Sequence, residues 1–420
     1  MNNILKENRS TKLIMLFPLF FVLMPRPEIP GVQFLTYPLI AVIFGLISLT
    51  LIIKNGLHKT TSLPLSLLSA LLVCICLSIL FNSSGLSSLP HLAKIFLFIV
   101  VFLFGDLVGL VKNKDQIFKG LLKTAYIVLT VQIIVGITQI LGNPVFSWIY
   151  SMDKTRPWGG MVRIAGTLDN PNIFAWIVIQ MAVLVFLLEP KKFNKVFWVF
   201  LCFVLVFLSG SRSFLMIYPA VMILIFVLSS KKSAVFMFVK LPMFLTTIGA
   251  LIAIGYRFLV NNAMSFPYLS QLLYIFETGS LDSVHSFNVR TLMWQDALNQ
   301  MNGTVTWLFG LGPGSIEVLD NDYLYSTVNY GLIFTAVNLL MYLVFLIYFF
   351  KCKDRILMTL GVQYIVFSLV VGYQADALSG WNYPLLIMFY TGIAVALRRK
   401  KLKNKKDIAQ ENKTQKLEAV

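Results

Sequence analysis

Long uninterrupted apolar runs recur along almost the whole chain, and they constrain the fold more than any other feature. Many approach the length of about 20 residues that an α-helix needs to cross a bilayer. Of the 420 residues, 58% are hydrophobic and 13% are charged, whereas a soluble domain carries about 45–50% apolar and about 25% charged residues. These figures exclude a soluble globular protein and a disordered one. The runs also differ from the alternating segments of about 10 residues that form a transmembrane β-barrel.

The runs predict an all-α polytopic integral membrane protein with about 12 transmembrane helices, forming a single membrane domain over residues 1–420. The predicted spans are 13–31, 34–53, 63–81, 92–111, 121–141, 172–188, 195–209, 213–229, 234–256, 327–350, 356–373 and 381–397. The basic residues before the first run resemble those of a signal peptide. No small-residue cleavage site follows, so the sequence favours an uncleaved membrane anchor.

Lysine and arginine are distributed unevenly between alternate loops, and this asymmetry predicts the orientation of the chain. With the N-terminus inside, most of the 35 basic residues fall in inside segments, including a basic tail over residues 398–420. Both termini are therefore predicted to be cytoplasmic. The net charge of +17 follows from this topology signal and does not indicate binding to nucleic acid.

Two loops are long enough to carry chemistry, residues 142–171 and 259–326, and both fall on the predicted outer side. The inside loops are short and leave no cytoplasmic domain to bind ATP, a nucleotide sugar or nucleic acid. The four cysteines lie in or beside apolar runs, which predicts no disulfide framework. Cys74 and Cys76 lie two apart on a predicted helix and are expected to face different sides. The sequence therefore places any activity at the outer face of the membrane.

Two arginines lie on the predicted outer side, against the positive-inside trend. Arg163 precedes the sixth span, where it is either an interfacial side chain that reaches toward water or a clamp for a phosphate-like anion. Arg212 lies in a turn of serines and a glycine between two apolar runs. A basic residue held at membrane level is costly, and it is usually paired or functional. The position of Arg212 favours a function.

The second outer loop carries further polar residues. Residues 288–301 have apolar side chains at helical spacing and predict a helix, with Arg290 on its polar side. A glycine-rich turn follows at residues 309–314, and then Asp320 and Asp322 precede the tenth span. Either aspartate would serve as a general base, or the two would bind a divalent cation. Acidic residues are also favoured at the start of any helix.

These polar motifs occur in a recognisable order. They are Arg163-x-x-Gly166-Thr167-x-x-Asn170-Pro171-Asn172, Ser209-Gly210-Ser211-Arg212, Arg290-x-x-x-Trp294, Gly310-x-Gly312-x-Gly314 and Asp320-Asn321-x-Tyr323-Leu324, with Gly331 further on. In this order the chain resembles the O-antigen ligase and O-antigen or capsule polymerase (Wzy-type) superfamily of bacterial envelope proteins. The resemblance covers residues 160–395.

The resemblance implies a GT-C-like fold in the bacterial inner (cytoplasmic) membrane, and glycosyl transfer from a polyprenyl-diphosphate-linked oligosaccharide at the outer leaflet. No cofactor and no metal are implied. Arginines would stabilise the charge of the diphosphate leaving group, and an aspartate would accept the proton of the attacking hydroxyl. The predicted catalytic residues are Asp320 first and Asp322 second. The predicted diphosphate- and substrate-binding residues are Arg163, Arg212, Arg290, Asn170, Asn172, Asn321 and Tyr323.

Ligases of this superfamily carry a histidine directly before the asparagine of the last motif, where this chain has Asp320. That difference favours a polymerase, which would transfer a growing glycan from polyprenyl diphosphate to an incoming lipid-linked repeat unit. A polymerase implies a flippase and a chain-length regulator as partners. One alternative is a ligase that moves finished polymer to another acceptor. The other is a flippase or transporter, although transporters concentrate ionisable residues near the bilayer midplane.

Overall fold

Helices account for nearly all of the secondary structure in the computed structural model. The structure describes residues 22–23, 45–46, 62–82, 85, 88–142, 149–150, 157–158, 161–168, 170–229, 242, 246, 249, 257, 260, 285–316, 318–373, 375, 380 and 383–418. Three predicted spans, 13–31, 34–53 and 234–256, lie outside this part of the chain apart from isolated positions.

The described helices are α1 Ser62–Asn82, α2 Leu89–Val111, α3 Lys114–Ile140, α4 Pro171–Leu188, α5 Lys192–Leu208, α6 Arg212–Ser229, α7 His285–Asn299, α8 Thr304–Phe309, α9 Asp322–Cys352, α10 Arg355–Val371 and α11 Tyr383–Glu418. Two short antiparallel strands, β1 Pro157–Trp158 and β2 Met161–Val162, form a hairpin before α4. The predicted all-helical class is therefore confirmed, and α7 confirms the helix predicted over residues 288–301.

Six helices are long and apolar enough to cross a membrane. They are α1, α2, α3, α4, α6 and α9. Helix α10 is apolar but shorter. The described part of the chain thus supports a membrane-embedded helical protein with six candidate spans, while the total of about 12 stays a prediction.

Helices α3 and α9 begin earlier than hydropathy predicts, because capping starts them in polar sequence. The Asn113 side chain accepts a hydrogen bond from the Gln116 backbone at 2.9 Å, and the Gln116 side chain accepts one from the Asn113 backbone. This reciprocal capping box satisfies two backbone donors at once. At α9 the Asn321 side chain accepts from the Leu324 backbone at 3.1 Å. The first turns of both helices are too polar to register as membrane spans.

Helix α11 continues to Glu418, through the basic tail that the sequence set apart at residue 398. Lysine and arginine are good helix formers, and the tail contains no glycine or proline to stop the helix. A high charge ends the apolar span but does not end the helix.

Helices α2 and α11 make a close contact around small residues. A Cβ added to Gly105 would lie 2.2 Å from the Phe389 carbonyl oxygen, and one added to Gly392 would lie 2.2 Å from the Phe102 carbonyl oxygen. One added to Gly109 would meet a side chain of α11 at 2.5 Å. Small residues spaced in this way let two backbones approach closely, which is how many membrane helices associate.

We expect Gly392→Val to weaken the α2–α11 contact, because the valine side chain would displace backbone atoms of α2. Overpacking of this kind costs about 1–3 kcal/mol of folding free energy. The cost should lie near the top of this range, because the atoms that the valine meets belong to the rigid backbone of α2. A lowered midpoint of thermal unfolding in detergent would measure the effect. Gly85→Ala is the control, since a Cβ there meets no atom within 4 Å. Equal midpoints for Gly392→Val and wild type would contradict the contact.

The helices divide the described bundle into two ends. At one, which we call the Arg399 end, Arg399 pairs with Asp106, and Lys114 Nζ lies 2.6 Å from Asp354 Oδ2. We call the other end the Arg163 end, after the arginine that precedes α4. There the start of α9 meets the end of α10, and the Asp322 backbone donates to the Gly372 carbonyl at 2.7 Å. The predicted alternation of inside and outside loops, and the cytoplasmic side of the bundle, stay predictions.

Helix α9 is broken near the Arg163 end. Gly331 has φ 89° and ψ 168° inside the helix, a region that side chains avoid. An added Cβ would lie 2.0 Å from the Leu308 carbonyl oxygen, so α8 packs directly on the break. The Leu311 backbone donates to the freed Val328 carbonyl at 2.7 Å. The break therefore brings the glycine-rich turn onto α9.

Candidate functional site

Two buried glutamines of α3 hold the backbone of the loop that follows Arg163. Gln139 Oε1 accepts hydrogen bonds from the Ala165 and Gly166 backbones, both at 2.9 Å, and its Nε2 donates to the Gly166 carbonyl at 2.8 Å. Gln132 makes a matching pair with Thr167, through the backbone at 2.9 Å and the hydroxyl at 2.7 Å. Gly166 has φ +60° and no room for a Cβ beside Gln132. The loop is thereby fixed in one conformation.

We expect Gln139→Leu to destabilise this loop, because three backbone groups would lose their partner. Leaving a buried polar group unsatisfied costs about 1–3 kcal/mol. The loss should lower the thermal midpoint and increase proteolysis within residues 161–170. Thr130→Leu, at an exposed position of the same helix, is the control. Wild-type protection of the loop in Gln139→Leu would contradict the expectation.

Arg163 reaches from this loop to the turn between α5 and α6. Its Nε donates to the Ser209 carbonyl at 2.9 Å, and the next backbone N–H, of Ile164, donates to the Leu208 carbonyl at 3.2 Å. A Cβ added to Gly210 would lie 3.1 Å from the Arg163 side chain, and Gly210 has φ +62°. The turn therefore needs glycine for its conformation and for the closeness of Arg163.

The same turn contacts the start of α4. Ser211 Oγ donates to Asn172 Oδ1 at 2.6 Å, and Asn170 caps α4 by accepting from the Asn172 backbone at 2.7 Å. The predicted site residues Asn170 and Asn172 therefore hold the first loop against the turn. Arg212 follows the turn as the first residue of α6 and is half-buried.

The structure places the three predicted arginines at the Arg163 end. Arg163 contacts the turn that leads into Arg212, as described above, and Arg212 is close enough to Arg290 for their charges to interact. Arg290 Nε in turn lies 3.0 Å from Asp320 Oδ2. We call these four residues, Arg163, Arg212, Arg290 and Asp320, the arginine cluster.

Asp320 occupies an unusual position in the backbone. Its φ is +49°, one of two positive values among the described non-glycine residues. Residues held in such regions are frequent in active sites. The Asp320 side chain is 46% exposed, so it is open to an approaching molecule. Beside it, Trp294 Nε1 donates to the Leu319 carbonyl at 2.7 Å, which fixes the preceding residue.

Asp322 lies in a different environment from Asp320. It is 1% exposed, and one carboxylate oxygen accepts from Ser326 Oγ at 3.3 Å. Its neighbours are also engaged, because Asn321 caps α9 and the Tyr323 hydroxyl donates to the Leu369 carbonyl at 2.6 Å. These contacts anchor the loop of Asp320 to α9 and α10. Of the two aspartates, the geometry favours Asp320 as the group that meets a substrate.

Asn329 was not predicted as a site residue, yet it organises the glycine-rich turn. Its side chain is fully buried. Oδ1 accepts from the Gly314 backbone at 3.1 Å, the Ser315 hydroxyl at 3.2 Å and the Ile316 backbone at 3.2 Å. Nδ2 donates to the carbonyls of Ile316 at 3.2 Å and Tyr325 at 3.1 Å. The turn that leads to Asp320 is therefore held by one side chain.

A second polar group lies under the turn, between α2 and the break in α9. The Tyr330 hydroxyl lies 2.7 Å from His91 Nδ1 and 3.2 Å from the donating Lys94 Nζ. Lys94 is 3% exposed, and its ammonium lies 5.9 Å from the centre of the Tyr325 ring. Lys94 therefore contacts the broken helix from a buried position on α2.

The possible metal-ligating side chains are dispersed in the described part of the chain. Within the described residues, no group of three or more histidine, cysteine, aspartate or glutamate side chains could hold a metal ion. Asp320, which the sequence offered as half of a divalent-cation pair, is paired with Arg290 instead. Asp322, the other half, is buried against Ser326. The arrangement presents cationic donors to an anion and one exposed carboxylate.

Comparison with models of protein families finds no match for the chain, and comparison with curated proteins finds none.

Proposed function

We propose that the chain is a membrane glycosyltransferase that polymerises lipid-linked repeat units of a bacterial surface polysaccharide. The observation that carries the proposal is the arginine cluster, in which Arg163, Arg212 and Arg290 lie at one end of the bundle and Arg290 pairs with the partly exposed carboxylate of Asp320. Diphosphate is the leaving group best suited to several guanidinium groups, because each forms charge-assisted hydrogen bonds with phosphate oxygens.

The proposed reaction needs no metal. A hydroxyl of the incoming lipid-linked repeat unit attacks the anomeric carbon of the donor glycan, and the bond from that carbon to the diphosphate oxygen breaks. The arginines stabilise the negative charge that grows on the diphosphate, as preorganised donors do. Asp320 accepts the proton of the attacking hydroxyl. The resemblance implies inversion at the anomeric carbon.

The Arg290–Asp320 ion pair has a place in this proposal. Its two side chains are 28% and 46% exposed, so the pair is weak and open to competition. An arriving diphosphate would draw Arg290 away from the carboxylate. Asp320 would then be free to accept a proton only when the donor is bound.

Asp320 favours polymerisation over ligation, because ligases of the superfamily that the chain resembles carry a histidine at this position. The proposed location is the outer face of the bacterial inner membrane, with both termini cytoplasmic. The proposed partners are a flippase that delivers repeat units and a chain-length regulator.

The test is deletion of the gene followed by analysis of lipid-linked saccharides. Single repeat units that accumulate on the outer leaflet, with loss of long polymer, would support a polymerase. Long polymer held on the lipid carrier would indicate a ligase. Repeat units confined to the inner leaflet would indicate a flippase. Complementation with the wild-type chain and with Asp320→Asn tests the base, and full rescue by the variant would remove Asp320 from the mechanism.

A further inference from the structure

A cluster of cations lies at the Arg399 end, opposite the arginine cluster. The close contact of α2 with α11 brings Arg399 against Asp106 through Nη2, and Lys400 Nζ donates to the Lys112 carbonyl at 2.7 Å. The side chains of Arg399 and Lys400 therefore both contact the end of α2, where Lys112 adds a third cationic residue and Asp106 is the one paired carboxylate. An excess of two positive charges is left at this point.

Arg399 has donors that the described protein does not satisfy. The guanidinium group carries five N–H donors, and only Nη2 contacts Asp106. Atoms Nε and Nη1 are buried and have no hydrogen-bond partner. Buried donors of a charged group are costly to leave unpaired, so this pair alone does not complete the environment of Arg399.

The two lysines are partly buried, which also favours an anion beside them. Burial lowers the pKa of the Lys112 and Lys400 ammonium groups. A neighbouring anion would favour their charged forms and oppose this effect. Lys114, nearby in sequence, already has its anion, because it pairs with Asp354 at 2.6 Å.

The position of the cluster favours a lipid over a soluble anion. Lys112 directly follows the candidate span α2, and the next apolar side chains along both helices, Val111 and Leu402, are exposed. A basic pocket between helices at the membrane boundary suits a phospholipid headgroup, with acyl chains beside the apolar residues.

We propose that Lys112, Arg399 and Lys400 form a binding site for the phosphate of an anionic phospholipid headgroup. The lysines meet the phosphate at the surface, and the Arg399–Asp106 pair lies behind them. The bound lipid holds α2 and α11 together at the end of their glycine contact. This site is independent of the proposed glycosyl transfer.

The test uses the purified full chain in detergent. Thermal unfolding midpoints are measured during titration with phosphatidylglycerol, with neutral phosphatidylcholine and with inorganic phosphate. For wild type we expect phosphatidylglycerol to raise the midpoint more than either other addition. In Lys112→Gln/Lys400→Gln we expect about tenfold weaker phosphatidylglycerol binding, given the usual attraction of lysine for anionic lipid surfaces. These substitutions leave the Arg399–Asp106 pair intact.

Lys119→Gln/Lys192→Gln is the matched control, because both lysines are exposed and the loss of charge is the same. Wild-type lipid affinity in this control supports a localised site. The proposal is overturned if the two double variants lose affinity equally, or if phosphatidylcholine stabilises wild type as well as phosphatidylglycerol does. An equal effect of inorganic phosphate would overturn the lipid assignment and identify a soluble anion as the ligand.

Discussion

Arg212→Ala is expected to reduce polymer formation by about 100- to 1,000-fold, the usual effect of removing one donor that stabilises developing charge. Arg212 begins α6 directly after the turn that Arg163 contacts, and its charge interacts with that of Arg290. Arg212→Lys keeps the charge but loses the planar fork, so it should recover only part of the activity. Polymer length and lipid-linked intermediates measured in a deletion strain give the readout.

Arg355→Ala is the matched control for Arg212→Ala. Arg355 is exposed at the Arg399 end, and its Nε donates to the Leu228 carbonyl at 2.9 Å. The same change of side chain there should leave polymer formation near the wild-type level. Near-wild-type polymer in Arg212→Ala, with normal amounts of protein in the membrane, would remove Arg212 from the proposed mechanism.

The sequence was informative where a polar residue interrupts an apolar pattern in a loop. Arg163, Arg212 and Arg290 were selected because they oppose the positive-inside trend or follow a recognisable motif, and the structure places them at one end. Cys74 and Cys76 were expected to face different sides, and the first is buried while the second is exposed. These predictions depend on local geometry, which short sequence segments determine well.

The supporting residues were missed because they lie inside apolar spans. These residues are Gln132 and Gln139 on α3 and Asn329 on α9. Each contacts a loop that lies many residues away in the sequence, and hydrophobic periodicity reports only on neighbouring turns of one helix. A polar side chain within a membrane span is itself a signal, since it needs a partner there. That signal would have selected these residues as candidates. It would not have identified the loops they hold.

The division of roles between Asp320 and Asp322 also required the structure. One residue separates them, and in the sequence both precede an apolar run. The capping asparagine between them starts α9, so Asp322 turns into the bundle while Asp320 stays outside the helix with a positive φ. A helix boundary misplaced by one turn would exchange their environments, and boundaries are the least reliable part of any prediction from sequence.

Asn329→Leu is expected to detach the glycine-rich turn from α9 and to abolish polymer formation. The substitution removes five hydrogen bonds and leaves backbone groups of Gly314, Ile316 and Tyr325 without this partner. A hydrogen bond contributes about 0.5–1.5 kcal/mol, so the loss of all five should release the turn. Hydrogen exchange over residues 310–320 should become fast, while α2 and α11 keep their protection.

The control for this prediction is Asn338→Leu, the same change at a buried position further along α9. Because Asn338 lies beyond the break at Gly331, its replacement should leave exchange over residues 310–320 at the wild-type rate. Asn329→Asp preserves the acceptor oxygens but loses the donor amide, so it should retain part of the protection. Slow exchange and normal polymer in Asn329→Leu would mean that the turn is held by Gly331 and α8 alone. Asp320 would then owe its position to the break in the helix and not to the asparagine.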